Sequence, residues 1–523
     1  MNPKTALYDT TLRDGAQAEG INLSSSDKLR IAERLAAFGI GYIEGGFPGS
    51  NEKDIAFFRE ARNKDWGGAR IAAFGSTRKP DTRVENDPQM DLLLRAETPV
   101  VTFVGKSSIY QVTDVLRTTA DENLRMLADT TAHLHGHGRE VMYDAEHFFD
   151  GYFLDKDYAL ACLRAASEAG ASYVVLCDTN GGRLPHEIAE ATAAACKAVS
   201  CRVAIHSHND CGLGVANAIA ALRAGASQVQ GTVNGYGERT GNCNLTTVIP
   251  ILELKLGQSV LPPGMLAHLA DLSRFVDEVA NQNHDTRAPF VGLSSFAHKG
   301  GMHANAVTKS GSSYEHIDPA SVGNQRRILV GELSSRSNIM LKAKEFGIDL
   351  PDKSPEARRV LDRIKQLENE GYEFEAADAS FELLTRRALD KAPSFFKARE
   401  YHVSMRQDVE QNSSVCEATV RLDIDGEESY TVARGDGPVN ALDNSLRLAL
   451  SKKYPEISGL HLIDYKVRIV NSSAGTAARI RVLVESSNGS DEWGTIGVSD
   501  NVIDASWQAL ADSFAYFLLK LGK

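Results

Sequence analysis

The sequence has little of what places a chain in a membrane, on a nucleic acid or outside the cell. No apolar run approaches the roughly 20 residues that cross a bilayer, and Met1 leads into Ala6-Leu7 within a few residues, so a signal peptide is not expected. Basic charge is in deficit: 57 Lys and Arg stand against 69 Asp and Glu, a net of −12, which argues against polyanionic partners, whether nucleic acid or anionic membrane. The seven cysteines (Cys162, Cys177, Cys196, Cys201, Cys211, Cys243, Cys416) contain no CxxC pair and form no even framework, so no disulfide scaffold is expected and a reducing cytoplasm suits the chain. No glycine fingerprint follows the first apolar run, where Asp9-Thr10-Thr11-Leu12-Arg13-Asp14-Gly15 stands instead. That argues against a doubly wound nucleotide-binding sheet.

What is present is a repeated rhythm. Short apolar runs read as strands at Ala6 to Tyr8, Ile40 to Ile43, Ile71 to Phe74, Val100 to Val104, Glu140 to Tyr143, Tyr173 to Cys177, Val203 to Ile205 and Gln228 to Val233. Stretches with helical spacing lie between them, among them Asp27 to Phe38, Asn51 to Arg62, Asp155 to Ala169, His186 to Ser200 and Leu213 to Ala224, and three end at Gly39, Gly170 and Gly225. Eight strand–helix units in the first half of the chain predict an α/β fold built on a (β/α)8 TIM barrel over residues 1–264. Residues 265–392 read as helical linker subdomains, with the charged run from Ser354 to Gly371 as a solvated helix face. Residues 393–523 read as a separate α+β domain, with strands at Ser414 to Asp423, Tyr465 to Val470 and Ala478 to Ser486 and helices at Val439 to Lys453 and Val502 to Leu521. No short-period repeat is visible.

A barrel of this kind carries its active site at the C-terminal ends of its strands. There the sequence delivers Asp9, Arg13 and Asp14; Glu44; Asp144 and Glu146; Asp178, Thr179 and Asn180; His206-Ser207-His208-Asn209-Asp210; and Asn234 through Asn242. Residues two apart on a strand point to one face, so His206 and His208 converge, and with nearby carboxylate and amide oxygens they suit a divalent ion. His133-Leu134-His135-Gly136-His137 also looks like a metal motif, but it sits at a helix end, where positions two apart diverge by about 200°. The loop from Gly235 to Gly241 follows the eighth strand and has the wrong spacing for a dinucleotide; it serves as a backbone turn that brings Asn242 to the metal.

Taken together, Asp9 through Gly15, His206 through Asp210 and Gly237-Glu238-Arg239-Thr240-Gly241-Asn242 resemble the acetyl-CoA-dependent α-ketoacid synthases of the DRE-TIM metallolyase superfamily, which include the 2-isopropylmalate, homocitrate and citramalate synthases. The segments Tyr42 to Gly49, Asp144 to Asp150, Phe296 to His303 and Tyr314 to Pro319 are most similar to the longer citramalate synthase subgroup. The resemblance implies metal ligands at Asp14, His206, His208 and Asn242, with Mg2+ or Mn2+ ahead of Zn2+ or Co2+. It implies a keto-oxygen contact at Arg13, a carboxylate contact at Thr179, acid–base work at Glu146 and His303, and a linker tyrosine at Tyr314. Gln17, Glu44 and Asp144 are further expected substrate contacts. Two positions after His303 this chain has Asn305, where the family usually carries an acidic residue. The reaction implied is condensation of acetyl-CoA with pyruvate in isoleucine biosynthesis, the alternative being 2-ketoisovalerate in leucine biosynthesis. Phe103 and Val104 are the expected walls against the ketoacid side chain. Gly435 to Pro438 and Trp493 to Val498 resemble the family's C-terminal regulatory domain. That implies a homodimer and an isoleucine effector, with Val439 and Asn440 as effector contacts.

Overall fold

A computed structural model of the chain describes residues 5–49, 51–329, 336–348, 354–409, 413–470, 475 and 478–523. By contact it divides into two compact units: residues up to Phe296 together with His316–Gln325, and Ala297–Glu315 together with Arg326–Lys523.

The first unit is a closed parallel barrel. Its strands are β1 (Ala6–Asp9), β2 (Tyr42–Gly46), β3 (Arg70–Ser76), β4 (Val100–Lys106), β5 (Glu140–Glu146), β6 (Tyr173–Asp178), β7 (Arg202–Ser207) and β8 (Gln228–Gly231), and β8 closes on β1. The helices are α1 (Ser25–Phe38), α2 (Glu52–Ala61), α3 (Pro88–Arg95), α4 (Ala120–Gly136), α5 (Phe148–Leu154), α6 (Lys156–Glu168), α7 (Pro185–Ala198) and α8 (Gly214–Ala224), followed by α9 (Leu245–Pro250) and α10 (Leu269–Val279). Local chemistry sets these boundaries. Ser24 and Asp27 form a reciprocal capping box at the start of α1, worth about 1 kcal/mol, and Gly39 ends it at φ 101°. The last strand stops at Gly231, shorter than the run expected to Val233. Val233–Gly235 turns instead as a single 3-10 turn, with Asn234 at φ 60°.

Strand pleating divides the core in two. Tyr8, Tyr42, Val100, Met142, Tyr173, Val175, Cys177 and Ala204 plug the barrel interior, while the alternate residues pack outward under the helices. Phe103 belongs to the outer layer, stacked on Tyr143 at 5.4 Å. It therefore cannot wall a pocket in the barrel mouth; Thr102 faces inward, against the Tyr8 hydroxyl at 2.7 Å, and Val104 shares its parity.

The second unit carries α11 (Gly301–Lys309), α12 (Arg336–Glu345), α13 (Pro355–Asn369) and α14 (Asp378–Ala388), with β9 (Ala297–His298) paired in parallel to β10 (Arg327–Ile328). After these the chain makes the same βββα pattern twice. The first is β11 (Lys397–Asp408), β12 (Ser413–Ile424), β13 (Glu427–Gly435) and α15 (Pro438–Ser451). The second is β14 (His461–Ile469), β15 (Ile480–Ser487), β16 (Glu492–Ser499) and α16 (Val502–Lys520). The match extends to details. Register slips occur at Ala398/Glu400 and at Leu462/Asp464, and Thr431 Oγ1 donates to Ser445 O at 2.9 Å as Thr495 Oγ1 does to Ala509 O at 2.8 Å. No helix among the described residues is long and apolar enough to cross a membrane.

Candidate active site

The C-terminal mouth of the barrel gathers the polar ends of the strands. His206 lies on the inward face of β7 and His208 follows just beyond the strand, bridged to Asn242. Asp14 Oδ2 lies 3.2 Å from His206 Nε2, and His206 Nε2 lies 3.3 Å from His208 Nε2. All three residues are buried. They are the one group of three or more His, Cys, Asp or Glu among the described residues whose ligand atoms converge in this way.

The surroundings fit a cation. His206 Nδ1 meets Gln230 Oε1 at 3.0 Å; an amide oxygen only accepts, so the ring proton sits on Nδ1 and Nε2 turns its lone pair to Asp14 and His208. His208 Nε2 meets the same point, and Asn242 Oδ1 is buried with no hydrogen-bond partner. One carboxylate, two imidazoles and an amide oxygen form a borderline-to-hard donor set for a divalent ion. The electrostatics agree. Burial opposes it, yet the Arg13 charge and His206 hold the Asp14 carboxyl well below the usual range. Burial pulls His206 down, but Asp14, through its charge and by accepting a hydrogen bond from Nε2 when the ring is protonated, more than offsets that and raises it. His208 is pushed down to about 4 by burial and by neighbouring His206. His133, His135 and His137, by contrast, sit at the end of α4, where His137 Nδ1 bonds the His133 carbonyl oxygen.

Arg13 stands beside this cluster. Its guanidinium lies 3.8 Å from the Phe74 ring centroid, donates from Nε to Glu44 Oε1 at 2.5 Å and places Nη1 3.5 Å from Asp14 Oδ2. Glu44 is fully buried and also accepts from the Tyr8 hydroxyl at 2.5 Å and Thr10 Oγ1 at 2.6 Å. Both its oxygens are therefore engaged inside the protein. A cavity of about 340 Å3 opens beside Arg13, with Gln17, Leu23, Phe47 and Phe74 among its walls. Asp144 shares the inward face of β5 with Glu146; its Oδ1 has no partner, and burial and the Glu44 charge push its carboxyl up to about 7. Thr179 Oγ1 accepts the His147 N–H at 2.8 Å, with His147 in the left-handed region at φ 58°, which leaves the threonine O–H free to donate.

Two neighbours were not picked out from the sequence. Lys106, at the end of β4, forms an ion pair with Glu146, and Gln230 fixes the tautomer of His206. The signal lies in register alone: Lys106 stands opposite Glu146 and His206 opposite Gln230 across the sheet. His303 and Tyr314 belong to the second unit, where their exposed rings stack with centroids 4.2 Å apart. Nearby, Glu315 binds Arg326 at 2.5 Å and His298 at 3.1 Å. Val439 and Asn440 open α15; Val439 packs partly against the core, and Asn440 Oδ1 accepts the Asp436 N–H at 3.1 Å.

Comparison with known proteins decides what this geometry belongs to. The HMGL-like family matches residues 4–276, the homocitrate synthase post-HMGL domain-like family residues 290–372, and the LeuA allosteric (dimerisation) domain residues 375–518. The (R)-citramalate synthase of Aquifex aeolicus is 52% identical over 521 residues, covering 99% of both chains. That of Streptomyces coelicolor is 50% identical over 517 residues, covering 99% of this chain and 97% of its own. The chain belongs to the (R)-citramalate synthase family. A probable 2-isopropylmalate synthase of Methanopyrus kandleri is 31% identical, covering 97% of both chains, so the isopropylmalate alternative is the more distant one. Membership makes the chain an acyl-transferring condensing enzyme with a regulatory dimerisation domain.

Proposed function

We propose that the chain condenses acetyl-CoA with pyruvate and hydrolyses the thioester, releasing (R)-citramalate and CoA in isoleucine biosynthesis. The observation that carries this is the Asp14–His206–His208 cluster, set beside Arg13 at the barrel mouth in a chain of this family. A divalent ion held by these three residues and Asn242, Mg2+ or Mn2+ by its donor set, would supply polarisation of the ketoacid carbonyl. Arg13 faces the keto oxygen and neutralises the negative charge that grows there, already oriented by Glu44 and Phe74. Glu44 acts as a positioning residue for Arg13. Thr179 donates its O–H to the ketoacid carboxylate, and Gln17 and Asp144 border the bound ketoacid. Glu146 and His303 share the proton work, with Lys106 fixing Glu146 and Tyr314 stacked on His303. The acetyl methyl carbon gives up a proton, bonds to the keto carbon, and water then cleaves the thioester to free the CoA thiol.

The assembly we infer is a cytoplasmic homodimer joined through its C-terminal domains, with isoleucine as effector near Val439 and Asn440. The deciding experiment is free-thiol release from acetyl-CoA with Mg2+ or Mn2+, pyruvate against 2-ketoisovalerate. Release with pyruvate and inhibition by isoleucine are expected; preference for 2-ketoisovalerate would overturn the assignment.

A further inference from the structure

The loop that delivers Asn242 does more than turn. Arg239, three residues before that amide, has its backbone in the left-handed region at φ 59°. A side chain other than glycine rarely adopts that conformation and keeps it only where the surroundings impose it. Here the surroundings are two neighbouring strand ends. Arg239 donates from Nε to Asp210 Oδ1 at 2.8 Å and from Nη2 to Asp210 Oδ2 at 2.9 Å. The same Nη2 donates to the backbone oxygen of Thr179 at 2.7 Å. One guanidinium thus joins the loops that follow β6, β7 and β8.

The turn that carries Thr179 is tied to the same carboxylate loop. The Gly181 N–H donates to the Asp178 backbone oxygen at 3.0 Å, and the Cys211 N–H donates to the Gly181 oxygen at 3.1 Å. Gly181 sits at φ 61°, where a Cβ would stand 2.7 Å from the Asp210 backbone nitrogen. Thr179 itself is gripped at both ends, its carbonyl by Arg239 and its hydroxyl oxygen by the His147 N–H. The Arg239 side chain is 43% exposed, so its pair with Asp210 adds little to stability. What the bidentate fork contributes is geometry, because two parallel bonds fix the plane from which the third bond reaches Thr179.

We propose that Arg239 is a positioning residue for ketoacid binding: braced by Asp210, it sets Thr179 so that the threonine hydroxyl meets the substrate carboxylate. The inference rests on the proposed condensation and deepens it. A contact with the carboxylate is alike in the bound ketoacid and in the transition state, so its loss is read in KM and not in kcat. Asn242 stays in place without Arg239, since its side chain is held by the Tyr236 oxygen and its backbone N–H by the Gly235 oxygen.

The test is thiol release from acetyl-CoA by the full chain at varied pyruvate, with Mn2+ affinity followed by electron paramagnetic resonance. Arg239→Gln is expected to raise the pyruvate KM about tenfold, the scale of a weakened hydrogen bond to a charged group, with kcat within about threefold of the parent. Mn2+ affinity and Tm are expected to stay near the parental values. Asp210→Asn should move KM in the same direction by less. Thr179→Val should raise KM too, and Arg239→Gln added to it should raise KM no further, because both act through one contact. The proposal is overturned if Arg239→Gln keeps the parental KM or loses kcat instead. It is equally overturned if the two effects multiply in the double variant, or if Mn2+ affinity falls as far as KM rises. A parent that releases no thiol with pyruvate overturns the condensation and this inference together, whereas parental turnover with KM unmoved in Arg239→Gln overturns this inference alone.

Discussion

Asn242 donates from Nδ2 to the backbone oxygen of Tyr236 at 2.9 Å, and that bond leaves its Oδ1 buried without a partner, in a residue bridged to His208 through the backbone. The same Tyr236 oxygen accepts from Thr232 Oγ1 at 2.7 Å, while the Tyr236 phenol is bound by Asp277, whose other oxygen meets His284 Nδ1 at 2.6 Å. The amide is thus aimed by a chain of bonds that reaches α10 and the segment beyond it.

Gly237 makes that aim possible. It sits at φ 152°, and a Cβ there would stand 2.2 Å from Asn242 Nδ2. Gly237→Ala is expected to weaken Mn2+ binding by about 10–100-fold, the usual cost of disturbing a ligand's support, with turnover falling in parallel. Titration followed by electron paramagnetic resonance measures it; unchanged affinity would remove Asn242 from the ligand set.

Metal binding should also follow pH in one direction. The ion needs neutral imidazoles. His206 is raised by Asp14 and His208 is lowered to about 4, so His206 is the group on which protons compete. Mn2+ affinity is expected to stay level well above the His206 pKa and to fall by up to about tenfold per pH unit below it. Affinity that improved as pH dropped would contradict this protonation scheme.

Arg13→Lys keeps the charge but loses the planar fork that reaches Glu44 and lies over Phe74. Turnover should drop by about 100–1000-fold, the scale of a lost transition-state donor, with Mn2+ affinity close to that of the parent. A variant retaining more than about a tenth of the parental rate would show that charge alone suffices.

Asp9 is buried, and burial pushes its carboxyl up to about 7 despite hydrogen bonds from Thr11. The folded pKa therefore exceeds the unfolded one. Stability from this group is fully present below about pH 4 and lost as pH rises through about 7. Asp9→Asn should gain in Tm relative to the parent at pH 8 compared with pH 5, measured by calorimetry with the active-site ion chelated. An equal difference at both values would show that Asp9 is already ionised at pH 5 and would overturn the raised pKa.

Most of the barrel was legible because each strand is a short apolar run and helical spacing lies between the strands, three of the helical stretches ending at glycine. His206 and His208 stood out because a period of two can be read locally. Phase within a buried run cannot: in Val100 to Val104 the one polar residue, Thr102, itself faces the barrel interior, so Phe103 reads as well inward as outward, and only packing against Tyr143 fixes it. Lys106 and Gln230 were hidden for a related reason, since their importance comes from inter-strand register and no local pattern encodes it. The doubled βββα pattern escaped notice because its backbone bonds are kept while its residues differ, as where Ser445 in one half corresponds to Ala509 in the other.

That doubling has left the two halves unequal. The heads of α15 and α16 are equivalent positions, occupied by Val439-Asn440 in one case and Ile503-Asp504 in the other. Asp504 is bound by the Tyr401 hydroxyl at 2.6 Å and by Gln508 Nε2 at 3.1 Å, whereas Asn440 is exposed and bonds only within its own turn. One head is sealed into the fold as a strut and its twin stands open, so a single polypeptide holds an asymmetry that an assembly of identical single halves would lack.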